Sequence, residues 1–442
     1  MASHPRINAL FADAVTQHKA GHLLEAEAAY GAILSISPGH VLVTHNLGVI
    51  AARKGQIDTA IQLFDEVIVR EPAYAPAHYN RAAAFQTLGQ MQEAIRGFTR
   101  VCALEPGHYD AHRALGFLWL AEGERGRSLD HFARTYELRR GEDLQDPDAR
   151  SLTHSTRAKL QHDAEQFLFL TKSRHDRVRF DGLARAYRAV AEGLPEEPVR
   201  LSDQQLEMLG GDYNTAIAIG DAPELPGGAV NRRADADSLT QSFLNAPPGV
   251  VYFDDLLTPR ALELLKRYLL ESTIWHDFGH ISGFVAAYLE DGLACPLILQ
   301  IADELRRVFP GLLALHPLSQ AWAFKGLHLD SAVDIHADDA AISVNFWLTP
   351  TEGSLSQDRG GLVVCRTPPP RDWPIVRYHE DQKRIAAFLE QNAAGTLTVP
   401  YRANRAVIFE SRLFHHSDRP HFSGSYENHR INMTLLFGRH RP

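Results

Sequence analysis

Residues 326–350 read GLHLDSAVDIHADDAAISVNFWLTP and contain the pattern His-x-Asp twice, at His328/Asp330 and at His336/Asp338. The second pair leads into ISVNFWLTP, in which apolar and polar residues alternate. This segment is also rich in β-branched and aromatic residues, as strands are. Because alternate side chains of a strand point to one face, a His and an Asp two residues apart can both bind one ion. The stretch therefore predicts a strand that begins beside a metal site.

The His-x-Asp triplet alone is a weak signal, because the chain has 23 histidines and the triplet recurs at His108 and His416. The residues that follow each pair are more informative. After the pair at 336 and 338 come the predicted strand, a Gly-Gly turn before LVVC, the strand NRAVIFESRLFHHSD and the strand ENHRINMTLLFG. A third ligand would come from one of these distant strands. The pair at 328 and 330 lies too early to lead directly into a strand, and its expected role is a hydrogen-bonded pair.

This order of elements resembles the double-stranded β-helix of the iron(II)- and 2-oxoglutarate-dependent dioxygenases, across about residues 250–440. The segment FESRLFH is similar to the family's distal-histidine strand. The resemblance implies that Fe(II) is bound by three residues, His336, Asp338 and His415. It also implies that 2-oxoglutarate and O2 are cosubstrates, and that Arg430 matches the basic residue that binds the far carboxylate of 2-oxoglutarate.

Two of these positions have rivals. His416 is adjacent to His415, and only one of two neighbouring strand residues can face the metal. Arg419 and Arg439 are alternatives to Arg430. Arg430 is preferred because RINMTLLFG places three polar residues on one strand face, Arg430, Asn432 and Thr434. A polar face inside a barrel is what the binding of a carboxylate requires.

The predicted strand ISVNFWL supplies one more candidate. Asn345 shares the strand face of Ser343 and Trp347, so we expect it to line the same pocket. The predicted cofactor-binding residues are therefore Arg430, Asn432 and Asn345.

The first third of the chain repeats at an offset of 34 residues, which is the spacing of Gly21, Gly55, Gly89 and Gly123. A small residue recurs five positions after each glycine, and an aromatic residue follows four positions later. Each copy has two helical apolar patterns, with the glycine where a helix ends in left-handed geometry. The pattern resembles the tetratricopeptide repeat, in four copies over residues 5–140. Stacked repeats present a concave surface, so a protein or peptide is the expected partner.

Composition limits the remaining possibilities. The 442 residues are 45% hydrophobic and 22% charged, which is typical of a folded protein. A formal net charge of -9 argues against nucleic acid as a partner. Three cysteines without short spacing predict neither a disulfide framework nor a thiolate zinc site. The chain lacks a signal-peptide pattern and any apolar run of the roughly 18 residues that a membrane span needs, so we expect a cytoplasmic protein.

The predicted fold class is multidomain α + β. It comprises an all-α tetratricopeptide-like solenoid at 5–140, a helical or irregular connector at 141–249, and a double-stranded β-helix with flanking helices at 250–442. A peptide-sized surface joined to an oxygenase makes protein or peptide hydroxylation the first functional hypothesis. The alternatives are hydroxylation of a small metabolite, with the repeats recruiting partners, and a non-catalytic repeat scaffold. The loop at 367–384, TPPPRDWPIVRYHEDQKR, is expected to influence the choice of substrate.

Overall fold

The chain forms two compact units, Met1–Trp119 and Leu120–Pro442. The computed structural model describes nine ranges of the chain: residues 5–141, 149–174, 176–233, 235–279, 283–356, 358–370, 373, 382–392 and 395–439. Among these residues, no helix combines the length and the apolar composition that a membrane crossing requires.

The first unit is built from helix pairs that repeat with the predicted period. Its helices are α1 (Pro5–Lys19), α2 (Leu23–Ile36), α3 (Val41–Arg53), α4 (Ile57–Arg70), α5 (Ala75–Thr87), α6 (Met91–Leu104) and α7 (Tyr109–Ala121). The second helices of successive pairs begin 34 residues apart, as the starts of α2, α4 and α6 show. The prediction of a tetratricopeptide-like helical repeat is confirmed.

The recurring residues of the repeat have the expected packing roles. Gly55, between α3 and α4, has φ +75°, and the equivalent glycines of the other copies are also left-handed. Ala60 and Phe64 on α4 are fully buried. A Cβ added at Gly48 of α3 would lie 2.6 Å from the Phe64 ring. The two helices of a pair therefore approach closely because small residues face the aromatic ring.

The second unit begins with helices and continues into sheets. Its helices are α8 (Arg125–Arg140), α9 (Ala149–Thr153), α10 (Arg157–Ser173), α11 (Arg177–Glu192), α12 (Asp203–Leu209), α13 (Ala236–Asn245), α14 (Pro259–Glu271), α15 (Pro296–Val308), α16 (Pro310–Leu313) and α17 (Gln382–Gln391). Helix α14 starts as predicted, because the Thr258 side chain accepts a hydrogen bond from the Ala261 N–H and Pro259 is the first helical residue.

Helices α10, α11 and α12 share a hydrophobic core with residues 213–218, which includes Phe167, Tyr187 and Leu209. These helices lie within the predicted connector, whose boundaries at 141 and 249 remain predictions. Helix α8 is tied to a 3-10 turn, Leu289–Asp291, through the buried Arg140, which donates two 3.1 Å hydrogen bonds to the Asp291 carboxylate.

The strands are β1 (His154–Ser155), β2 (Val199–Arg200), β3 (Val250–Phe253), β4 (Phe284–Tyr288), β5 (Leu318–Gly326), β6 (Ile342–Trp347), β7 (Leu362–Cys365), β8 (Thr396–Val399), β9 (Ala406–Glu410), β10 (His415–Ser417) and β11 (Ile431–Phe437). Strands β1 and β2 pair with each other. A six-stranded antiparallel sheet has the order β3-β9-β6-β11-β5-β4, and a three-stranded antiparallel sheet has the order β10-β7-β8.

The two larger sheets pack against each other through one hydrophobic cluster. It includes Trp347 from β6 and Phe409 from β9 of the six-stranded sheet, together with Val364 from β7 and Val399 from β8 of the three-stranded sheet. All four of these side chains are fully buried. The predicted combination of helical repeats with a C-terminal β region is therefore present, and its β part consists of antiparallel sheets.

Candidate metal centre

His336 and Asp338 lie in a short segment that runs antiparallel beside β10. The His336 N–H donates to the His415 carbonyl at 3.0 Å, and the His415 N–H donates to the His336 carbonyl at 2.8 Å. The Asp338 N–H donates to the Ser411 carbonyl at 2.9 Å. These backbone bonds extend the edge of the three-stranded sheet by one bridge, so residues far apart in sequence become neighbours.

The three predicted ligands converge in space. One ligand atom from each of His336, Asp338 and His415 lies within 4.8 Å of the other two. The Asp338 carboxylate is central, with Oδ1 3.8 Å from His336 Nε2 and Oδ2 3.7 Å from His415 Nε2. The Asp338 and His415 side chains are buried, while that of His336 is 20% exposed. Among the described residues this is the one cluster of three such groups within that distance.

Both imidazole rings are oriented by backbone carbonyls. His336 Nδ1 lies 2.8 Å from the Asp334 carbonyl, and His415 Nδ1 lies 2.9 Å from the Leu413 carbonyl. Because a carbonyl oxygen can only accept, Nδ1 of each ring carries a proton, so the Nε2 that faces Asp338 is the nitrogen through which a neutral ring would bind a metal. A backbone carbonyl on one ring nitrogen is a common way to orient a metal-binding histidine.

The three groups line a narrow cavity of about 30 Å³. Strands β6 and β11, with the residue just before β11, contribute a polar wall of Asn345, Arg430, Asn432 and Thr434. Strand β5 contributes Trp322 and Phe324, and Val333 adds a further apolar surface. The strand register explains the polar wall, since Thr434 is paired with Asn345 on one side and with Trp322 on the other. All the predicted cofactor-binding residues therefore lie in the cavity that the three ligand candidates enter.

Arg430 is a buried cation that has no anionic partner among the described residues. Its Nε donates to the Gly360 carbonyl at 3.0 Å and its Nη2 to the Gly361 carbonyl at 3.3 Å. Its Nη1 is buried without a hydrogen bond, and no carboxylate of the described residues forms an ion pair with it. Burial lowers the pKa of the guanidinium to about 10. A buried charge is costly unless it is paired, so this arrangement suits an anionic ligand.

The Gly-Gly turn explains how Arg430 is held. Gly360 has φ +88°, and a Cβ added at Gly361 would lie 1.8 Å from the Val399 carbonyl oxygen. Only glycine fits at residue 361, where the chain passes close to the end of β8. The two carbonyls that this turn presents fix two of the three guanidinium nitrogens.

Two amides of the polar wall also have unsatisfied atoms. Asn345 Nδ2 donates to Thr434 Oγ1 at 3.0 Å, but its Oδ1 is buried without a hydrogen bond. The Oδ1 of Asn432 is also buried without a hydrogen bond to any described residue. Buried polar atoms usually have partners, so unsatisfied atoms grouped in one cavity indicate a place for a polar ligand.

The rival residues do not belong to the three-residue cluster. His416 is half-buried at the cavity wall, with its Nδ1 2.9 Å from the Ser417 carbonyl, and it is not part of the three-residue cluster. Arg419 and Arg439 are exposed. His328 and Asp330 are also exposed, and they line a separate cavity. In the predicted substrate loop, residues 371–372 and 374–381 lie outside the described residues.

Sequence reasoning missed three contributors to the site. Trp322 and Phe324 form an aromatic wall, with ring centroids 6.2 Å apart. Their spacing of two within the strand sequence LSQAWAFKG was the available signal. Ser411, whose carbonyl binds the Asp338 N–H, had no comparable signal, because that contact joins distant parts of the chain.

Comparison with known proteins leaves the chain unassigned to a family. No family model matches it, and neither does any curated protein. Among solved structures, residues 41–end of MamA from Desulfovibrio magneticus RS-1 are 21% identical, with a TM-score of 0.29, over 32% of this chain and 77% of that chain. The first tetratricopeptide repeat domain of Spaghetti (RPAP3), bound to an HSP90 peptide, is 21% identical, with a TM-score of 0.26, over 27% of this chain and 96% of that chain.

Proposed function

We propose that this chain is an iron(II)- and 2-oxoglutarate-dependent dioxygenase, and that its two larger sheets form a double-stranded β-helix. The observation that carries the proposal is the grouping of His336, Asp338 and His415 in a cavity that also contains the unpaired guanidinium of Arg430. A metal site and an anion site in one cavity suit a metal enzyme with an anionic cosubstrate.

The donor set fits iron(II). Two neutral imidazoles and one carboxylate form the ligand set typical of non-haem iron(II) oxygenases, with positions left open for other ligands. The site contains no cysteine thiolate among its described residues, so a structural zinc site is disfavoured. Both rings are already oriented by the carbonyls of Asp334 and Leu413, so binding requires little rearrangement.

Arg430 fits the far carboxylate of 2-oxoglutarate. Two of its nitrogens are held by the Gly-Gly carbonyls, while Nη1 can donate to an incoming oxygen. The charges are also matched, because Arg430 and Asp338 contribute one positive and one negative charge, and a divalent cation balances a dicarboxylate. Electrostatic attraction is strong in a buried cavity, so this balance favours occupation by both groups together.

When bound, iron(II) and 2-oxoglutarate supply the oxidising chemistry: one atom of O2 enters succinate as CO2 is lost, and the other converts a substrate C–H group to C–OH. The protein provides binding and orientation. Arg430 and Asn432 would hold the anionic cosubstrate on the polar wall. Trp322, Phe324 and Val333 present an apolar surface that excludes water and supports the hydrocarbon part of a substrate.

Succinate release tests the activity. The full chain, isolated with the proteins that co-purify with it and supplied with Fe(II), 2-oxoglutarate and O2, should convert 2-oxoglutarate to succinate, and His336→Ala should not. Calorimetric titration with iron under anaerobic conditions should show binding to the wild type and none to His336→Ala. Absence of iron binding by the wild type would contradict the proposal and favour a non-catalytic scaffold.

The proposed substrate is a protein or peptide recruited by the helical repeats, because stacked helix pairs offer an extended binding surface. Proteins that co-purify with the chain should gain the mass of one oxygen atom when Fe(II) and 2-oxoglutarate are added. Succinate release without any added protein would instead favour a small metabolite as the substrate. The background to subtract is the succinate that His336→Ala releases and the succinate formed by turnover uncoupled from substrate oxidation.

A further inference from the structure

Asp338 is part of a closed ring of hydrogen bonds with two buried serines. The Ser343 hydroxyl lies 2.7 Å from Asp338 Oδ2 and 2.9 Å from the Ser411 hydroxyl. The ring closes through the backbone, because the Asp338 N–H donates to the Ser411 carbonyl at 2.9 Å. Both serine side chains are fully buried. The ring therefore holds the backbone and the side chain of Asp338 together.

The donors in this ring can be assigned from chemistry. The Ser343 hydroxyl donates to Asp338 Oδ2, and a serine hydroxyl has only one proton to donate. The Ser411 hydroxyl, 2.9 Å away, then donates to the Ser343 oxygen. Ser411 thus acts on the carboxylate only through Ser343.

The scaffold makes this ring rigid. Ser343 lies on β6, a strand that is paired on one side with β11 and on the other with β9. The Ser411 N–H donates to the Ala341 carbonyl at 3.2 Å, just before β6. Neither serine can shift without breaking backbone hydrogen bonds, so the carboxylate is held in one orientation.

We propose that Ser343 and Ser411 are positioning residues that orient the Asp338 carboxylate for metal binding. This inference rests on the proposed metal site. Without the Ser343 bond, the carboxylate could rotate about its Cβ–Cγ bond, and orienting it would cost part of the binding free energy. Groups that hydrogen-bond a metal ligand typically change metal affinity by about 10- to 100-fold when they are removed.

Calorimetry with Co(II), which is stable in air, tests the proposal on the full chain. Ser343→Ala should weaken Co(II) binding by about 10- to 100-fold. Ser411→Ala should weaken it less, because the Ser343 bond to the carboxylate remains. The double variant should match Ser343→Ala within about 2-fold, because members of one hydrogen-bond network are not additive. Ser411→Thr keeps the hydroxyl, so this variant should bind Co(II) with wild-type affinity.

Two further measurements separate positioning from general destabilisation. The visible absorption of bound Co(II) should change in Ser343→Ala, because the carboxylate is held differently. The control is Ser331→Ala, which removes another buried hydroxyl, one that donates to the Gly283 carbonyl at 2.7 Å. It should leave both Co(II) affinity and absorption unchanged.

The outcomes are distinct. If the wild type binds Co(II) and Ser343→Ala binds it equally well with the same absorption, the positioning role is wrong while the metal site stands. If Ser331→Ala weakens binding as much as Ser343→Ala does, the effect is general destabilisation and the inference also fails. Strict additivity of the two serine variants would overturn the relay from Ser411 through Ser343. If the wild type binds no Co(II), both the inference and the proposed metal site fall.

Discussion

The helical repeats and the sheet unit bury side chains for different purposes. In the repeats, Ala60 and Phe64 are fully buried, and residues of the same kind recur every 34 positions. In the sheet unit, Asp338, Arg430 and Asn432 are buried although they are polar, and Asp338 comes from a segment far in sequence from the other two. Burial of apolar rings stabilises the fold, whereas burial of unpaired polar groups opposes folding.

The difference indicates where function lies. A residue that repeats with the architecture is explained by packing, so it needs no ligand. A buried guanidinium without a carboxylate lowers stability, and its presence is explained if a ligand supplies the missing charge. Substitutions should therefore separate the two regions: those in the repeats should change stability, and those in the cavity should change binding.

The largest expected effect is the loss of metal binding in Asp338→Ala. The carboxylate is the only acidic group among the three predicted ligands, and its oxygens lie 3.8 and 3.7 Å from the two Nε2 atoms. Direct ligands matter more than the groups that support them, so Co(II) affinity should fall by more than about 100-fold. Calorimetry on the full chain measures it.

Asp330→Ala is the matched control for that prediction, because Asp330 belongs to the other His-x-Asp pair in the same stretch and is exposed. It should bind Co(II) as the wild type does. Equal loss of Co(II) binding in the two variants would contradict the assignment of the metal site to Asp338 and His415.

The second prediction concerns the repeats. Phe64→Ala removes a fully buried ring that packs against Gly48, and it should lower the free energy of unfolding of the repeat unit by about 3–5 kcal/mol. Co(II) affinity should be unchanged. Urea unfolding followed by far-UV circular dichroism measures the loss.

Leu24→Ala serves as the control for Phe64→Ala. Leu24 is 71% exposed, so its replacement should change stability by less than about 0.5 kcal/mol. If Phe64→Ala cost no more than Leu24→Ala, the repeating aromatic residues would not be core residues, and the contrast between the two regions would lose its basis.

The two regions also differ in how far their structures could be predicted from sequence. The helix pairs could be predicted, because each copy contains its own turn glycine, small residue and aromatic residue within 34 positions. The strand at 342–347 could be predicted from alternation, so local spacing was sufficient for it and for the helix pairs. The candidates His415 and Arg430 came instead from the resemblance of the later strand order to a known family.

Other features depend on contacts that sequence spacing does not encode. The ring that joins Asp338, Ser343 and Ser411 forms because a bridge brings distant segments together. The unsatisfied Nη1 of Arg430 becomes evident only when all possible partners are known. Trp322 lies in a strand whose alternation is visible in the sequence, but nothing in that segment indicated which sheet face would meet the predicted metal ligands.

The third prediction uses the unpaired charge. Arg430→Met should weaken 2-oxoglutarate binding to the metal-loaded chain by at least about 2 kcal/mol, or about 30-fold, because a buried charge partner is lost. The same variant should leave the melting temperature of the metal-free chain unchanged or raise it, since an uncompensated buried charge is removed. Calorimetry with 2-oxoglutarate and thermal unfolding measure the two effects.

Arg419→Met is the control for Arg430→Met, because Arg419 is exposed and was the rival in the sequence. It should alter neither property. A fall in stability together with unchanged 2-oxoglutarate affinity in Arg430→Met would show that the guanidinium serves the fold, and the division of roles between the two regions would no longer hold.

The smallest predicted effect tests a backbone explanation within the repeats. Gly55 and Gly31 both have no atom within 4 Å of an added Cβ, but Gly55 has φ +75° whereas Gly31 lies inside α2. Gly55→Ala should therefore destabilise the repeat unit by about 1–2 kcal/mol through left-handed strain alone. Gly31→Ala should stabilise it by up to about 1 kcal/mol, because alanine favours helix over glycine. Thermal unfolding of both variants measures the difference in sign. If both substitutions were stabilising, the 34-residue spacing of glycines would reflect something other than the left-handed turn, since space is equally open at the two positions.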